Sequence, residues 1–164
     1  MSTDGIGSPL IRVVHGSGTG PTAVASYDAA LADANLHEYN LATLSSVVPP
    51  GATVEAVGTA PALGPVGGRL WTVQARTTTA GPGRAAAALG WAEGPDGGVL
   101  YEAGESEDEA AARAQVESGL DAARTLRDAA LPNDHIESTA FDVPAGTYGT
   151  AVVVAAYGEA EPIE

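Results

Sequence analysis

Apolar residues in this chain fall mostly in short β-branched or alternating runs punctuated by Gly and Pro, and only two stretches show helical periodicity. Residues 10–14, Leu-Ile-Arg-Val-Val, read as a strand, preceded by a loose tail of eight residues. Residues 16–22 read as a Gly-rich loop, after which Pro21 and Thr22 open a helix over 23–34. A second strand is expected over 38–48, stopped by Pro49, Pro50 and Gly51. Residues 58–68 are dense in Gly and Pro and predict a long loop. From Arg69 to Thr79 the pattern alternates, with Leu70, Thr72, Gln74 and Arg76 on one face and Trp71, Val73 and Ala75 on the other. Turns at 81–83 and 95–98 then set off strands at 84–92 and 98–103.

The clearer helix is expected over 106–130. Ser106 and Glu109 have the spacing of a capping box, and Glu105, Glu107 and Asp108 sit where a helix dipole favours negative charge. Val116, Leu120, Ala123, Leu126 and Ala130 form its apolar stripe, and Pro132 ends it. Strands at 135–142 and 147–157 close the chain, the second with the continuous run Val152-Val153-Val154. Strands joined by short turns predict an α+β fold with antiparallel sheets.

Composition narrows the range of functions. The 164 residues suit one domain, residues 1–164, and 45% hydrophobic content excludes disorder by composition. Aromatic residues are few, so small side chains must make up much of the core. The formal charge is −14, and all seven basic residues are arginines. That field repels nucleic acid and anionic membranes and attracts cations. An acidic, lysine-free surface is also the composition of a salt-adapted, halophilic protein. There are no cysteines, which excludes disulfides, thiolate chemistry and Cys-based zinc sites. No basic-then-apolar N-terminal segment and no membrane-length apolar run is present, so a cytoplasmic location is expected.

Few residues offer chemistry. Residues 16–20, Gly-Ser-Gly-Thr-Gly, lie between a strand and a helix but lack the spacing of a phosphate-binding loop and a following Lys. His15, His37 and His135 are not at metal-ligand spacing, so no metal is expected. Asp28 lies mid-helix among small apolar residues, either exposed to solvent or facing a pocket for a cationic group. Glu102 ends an apolar strand, either exposed or held near apolar surface where protonation is favoured. The serine pair Ser45-Ser46 lies at the end of a strand, followed by Val47-Val48-Pro49-Pro50. There the second serine can attack the preceding peptide bond and become a reactive carbonyl.

The segment 44–50 with Asn40 upstream resembles the self-cleavage site of the pyruvoyl-dependent arginine decarboxylases. Gly16 and its loop, the run Tyr27-Asp28-Ala29-Ala30-Leu31, Asn40-Leu41, Val99-Leu100-Tyr101-Glu102 and the acidic-capped helix follow in that family's order, so the likeness covers about residues 10–157. The resemblance implies an αββα sandwich of two antiparallel sheets with helices outside. It implies scission between Ser45 and Ser46 into a β chain, 1–45, and an α chain, 46–164. Ser46 would become a pyruvoyl group that replaces pyridoxal phosphate, with no metal. L-arginine would be converted to agmatine and carbon dioxide through a Schiff base with that group, a step toward polyamines. Family roles carried over residue by residue make Glu102 the proton donor and make Asn40 a residue that positions the cleavage-site backbone or polarises a carbonyl. Asp28 would pair with the guanidinium, while Val47 and Ser45 would line the pocket. Placing Glu102 requires a one-residue gap, which leaves Tyr101 as the other aligned candidate. The expected assembly is a homotrimer, or a dimer of trimers, with sites between subunits. Two alternatives stand beside this: the same cofactor acting on another amino acid, and an uncleaved structural or regulatory homologue.

Overall fold

The computed structural model describes residues 10–128 and 130–163, without the side chains of residues 103–105; the expected N-terminal tail and Glu105 side chain lie outside the described residues. In chain order the elements are β1 (Leu10–Gly20), α1 (Ala23–Asp33), β2 (Asn40–Thr43), β3 (Val47–Val48), β4 (Thr53–Gly58) and β5 (Arg69–Ala80). They continue with β6 (Gly83–Gly94), β7 (Gly97–Ser106), α2 (Glu109–Thr125), β8 (Asn133–Val143) and β9 (Tyr148–Glu161). One sheet has the order β2-β5-β9-β1-β4 and the other β3-β7-β6-β8.

The layers follow from alternation along the strands. Ala151, Val153 and Ala155 of β9 meet Ala85, Ala87, Leu89 and Trp91 of β6 between the sheets. The opposite faces carry the helices: Val152, Val154 and Ala156 pack with Ala30, Leu31 and Ala34 at α1, and Ala88 and Ala92 pack with Val116 and Leu120 of α2. The architecture is therefore the expected α+β sandwich with helices outside. Val152, Val153 and Val154 form a continuous apolar run because both faces of β9 are covered. The smaller sheet is wholly antiparallel. The larger is mixed: β1 with β4 and β2 with β5 run parallel, each joined by a long crossover that no short turn announces.

Residues 16–20 are not a loop. They continue β1 in unbroken antiparallel register with β9, from Gly16 opposite Val152 to Gly20 opposite Tyr148. Gly16, Gly18 and Gly20 point to one face, where α1 lies directly on the strand. A Cβ on Gly18 would meet the backbone carbon and Cβ of Ala29 at 2.6 Å, and one on Gly20 would meet Ala25 Cβ at 2.9 Å. These glycines serve helix-to-sheet contact, which removes the phosphate-loop reading. Gly18→Ala is expected to cost about 2–3 kcal/mol, because the obstructing atoms are helix backbone. In thermal melting that is a drop of roughly 5–10 °C for a chain this size.

Other boundaries moved for local reasons. The expected 38–48 strand is split by Leu44, Ser45 and Ser46, since β2 and β3 belong to different sheets. Strand β4 was not foreseen; it is a largely exposed edge. Helix α2 starts at Glu109 and not at Ser106. Its N-cap is Asp108, whose carboxylate accepts from the Ala110 N–H, while the Ser106 hydroxyl bonds the Asp108 backbone. The helix ends at Thr125, so Leu126 lies past the apolar stripe and is 83% exposed.

Candidate active site

The serine pair occupies the crossing from the larger sheet to the smaller one. Leu44 still bonds Thr72 beside β2, and Val47 already pairs with Val99 of β7. Ser46 makes this turn with φ +72°, one of two described non-glycine residues at positive φ. That region costs an L-residue on the order of 1–2 kcal/mol. The surrounding contacts hold it there: the Leu100 N–H donates to the Ser46 carbonyl at 2.8 Å.

Glu102 faces this turn. Successive strand side chains point to opposite faces, so Glu102 shares a face with Leu100, which packs between the sheets. The Ser46 hydroxyl donates to Glu102 Oε1 at 3.2 Å. Tyr101 points the other way and covers Gly119 of α2. The residue that meets Ser46 is thus Glu102, and not its neighbour Tyr101. A groove of about 270 Å³ opens beside the pair, lined by Ser45, Ser46, Tyr101, Gly119 and Leu126 among others. Val47, 57% exposed, lines a separate groove with Val48, Pro50 and Arg127.

Two contacts were not legible in the sequence. The Leu100 donor is a backbone group and leaves no residue signal. Tyr157 lies on β9 of the other sheet, and its hydroxyl donates to the Val47 carbonyl at 2.9 Å. Burial, followed by the negative charge of Glu102, pushes the Tyr157 phenol up to about 12, so it remains an O–H donor across the ordinary pH range. The only sequence hint is an amphipathic side chain near the end of an otherwise small-residue strand.

The remaining candidates lie apart from the pair. The Asn40 side chain donates to the Gly67 carbonyl at 2.8 Å and its backbone N–H to Gly68, which ties β2 to the loop before β5. Among the described residues no hydrogen bond joins Asn40 to Ser45 or Ser46. Asp28 is exposed on α1, on the outer face of the larger sheet, while Ser46 bonds to strand β7 of the smaller sheet. Beside Asp28, Tyr27 donates to Gln74 at 2.7 Å and lies 4.3 Å beneath the Arg76 guanidinium. His135 stacks on Trp91 and pairs with Glu137, and His37 lies 4.0 Å from Glu38. Among the described residues no cluster of three His, Asp or Glu side chains is placed to hold a metal ion, and no helix is long and apolar enough to cross a membrane.

Ser46, Glu102 and the two groups that donate to the Ser46 and Val47 carbonyls make a strained serine with a carboxylate on its hydroxyl. That arrangement suits the activation of Oγ as an intramolecular nucleophile. Comparison with known proteins identifies the family. The family model for pyruvoyl-dependent arginine decarboxylase matches residues 10–162. Two curated proteins from Halobacterium salinarum, strains R1 and NRC-1, both named pyruvoyl-dependent arginine decarboxylase, are each 46% identical to this chain over 157 residues. The match spans 94% of this chain and 98% of each relative. On nearly its whole length, the chain belongs to the pyruvoyl-dependent arginine decarboxylase family.

Proposed function

We propose that the chain cuts itself between Ser45 and Ser46 and, once cut, decarboxylates L-arginine to agmatine. The observation that carries this reading is the Ser46–Glu102 hydrogen bond at a positive-φ serine. In the first step Glu102 accepts the hydroxyl proton while Ser46 Oγ adds to the Ser45 carbonyl carbon. The C–N bond breaks, the amide becomes an ester, and the freed nitrogen takes the proton. Leaving the positive-φ conformation relieves strain, which favours the ester. In the second step a base removes the Ser46 α-proton and the Ser45 carboxylate departs with Oγ. The dehydroalanine left at position 46 tautomerises and adds water, and ammonia is released. The products are a β chain of residues 1–45 and an α chain, 46–164, headed by a pyruvoyl group.

The residues present fit that group. Ser46 supplies its atoms, Leu100 already holds the adjacent carbonyl, and Glu102 stands beside it. The ketone supplies an electron sink for carbon dioxide loss, as pyridoxal phosphate does elsewhere. Glu102 then delivers the proton that replaces the carboxylate. The acidic surface favours a cationic substrate. Asp28 and the serine pair lie on different layers of one protomer, which supports sites that combine Asp28 of one copy with Ser46 of another; the assembly proposed is a homotrimer. Two trimers can pair into a larger assembly. A cytoplasmic, halophilic enzyme feeding polyamine synthesis completes the reading.

The test is incubation of purified, cut protein with arginine without added pyridoxal phosphate. Carbon dioxide and agmatine are expected in equal amounts. Asp28→Asn should raise KM for arginine about tenfold or more, the order expected when a charge-assisted pair is broken. Turnover of another basic amino acid but not of arginine would overturn the substrate assignment alone. A chain that never cuts would overturn the enzyme itself.

A further inference from the structure

We propose that Tyr157 is a positioning residue that holds residues 46 and 47 against Glu102, both before and after the backbone is cut. The inference rests on the self-processing reading above. Segment 44–48 is anchored at its ends, with Val48 buried in the core and Leu44 packed against it, and much less between them, where bonds must break. Strand β3 is two residues long and lies at a sheet edge, and Val47 is largely exposed. Before scission the segment is also restrained through Ser45. Afterwards residue 46 is a chain end, and its direction depends on what holds its own carbonyl and that of Val47.

Two donors do this, from two sheets. Leu100 of β7 bonds the Ser46 carbonyl, and Tyr157 of β9 bonds the Val47 carbonyl. Strand pairing supplies the first. The second needs a side chain long enough to cross from the larger sheet, and Tyr157 supplies it. Its ring packs against the core between the sheets, so the hydroxyl is presented from a fixed base. The carboxylate of Glu102 is close enough to discourage the phenolate, so Tyr157 keeps the proton that makes it a donor. Loss of this bond loosens the end of the cut chain, leaving it on the Leu100 bond, without removing any reacting atom.

Tyr157→Phe keeps the ring and its packing and deletes only the donor. Self-cutting of the full chain is followed by intact mass, and the matured protein is assayed for kcat, KM and thermal melting. The variant is expected to melt within a few degrees of the parent and to cut at least tenfold more slowly. A share of its α chain should begin with an unmodified Ser46, because water reaches the ester before elimination. That product is heavier than the pyruvoyl chain by one ammonia. The matured fraction should lose about tenfold in kcat with KM within twofold. Equal cutting rates and equal kcat in a parent that does cut would overturn the role of Tyr157. Slower cutting that merely follows a large loss of melting temperature, with no serine-headed product, would also overturn it in favour of a structural role. A parent that does not cut at all overturns the self-processing reading, and this proposal with it.

Discussion

Ser46→Ala is expected to yield one uncut chain and no detectable carbon dioxide from arginine. The substitution removes the attacking oxygen and the atoms that become the ketone. Decarboxylation then has no electron sink, and the loss should approach the whole enzymatic acceleration, about 10⁶-fold or more. Intact mass and a carbon dioxide assay on the same sample check both parts. Ser46→Gly should behave identically in chemistry yet differ in stability. Alanine keeps the cost of φ +72°, whereas glycine does not, so the glycine variant should be about 1 kcal/mol more stable than the alanine one. Equal stability would show that the turn is not strained, and an active alanine variant would show that the nucleophile lies elsewhere.

The second large effect belongs to Glu102. Glutamine keeps a hydrogen-bond acceptor for the Ser46 hydroxyl, so the turn should fold as before. It cannot accept or deliver a proton at neutral pH. Cutting should become slower but still reach completion, and turnover of the matured protein should fall by about 10²–10⁴-fold. Time courses by denaturing gel, followed by steady-state kinetics on the fully cut variant, separate the two. Unchanged turnover would remove Glu102 from the proton-delivery role. Unchanged cutting with slow turnover would confine it to that role.

The layered fold was legible because its signals are local. Alternation in β5, the continuous valines of β9 and the stripe of α2 each report which faces are covered. The errors arose where a residue type carries two meanings. Gly16, Gly18 and Gly20 read as a loop because Gly usually punctuates structure, yet here each makes room for helix backbone. Ser106 and Asp108 both cap helices well, and nothing in the spacing decides between them. Strand β4 pairs in parallel with a strand far behind it in the sequence, so no turn marks it. At the site, the serine pair and Glu102 were visible as residue types in their local settings. Their contact was not, since 56 positions separate them. Alternation along β7 does settle Glu102 over Tyr101, once Leu100 is known to face inward. Tyr157 had no comparable signal, because its partner is a carbonyl on another sheet.

If the chain is cut between Ser45 and Ser46 as proposed, the strand order of the larger sheet has a consequence. Strands β1 and β2 precede Ser45, while β4, β5 and β9 follow it, so the two products alternate within one sheet: β2 edges β5, and β1 is inserted between β9 and β4. The ten-residue register of β1 with β9 therefore becomes an intermolecular interface. Scission turns a unimolecular folding equilibrium into an association equilibrium. Stability then acquires a dependence on protein concentration, and the unfolded pieces must find each other before they can refold.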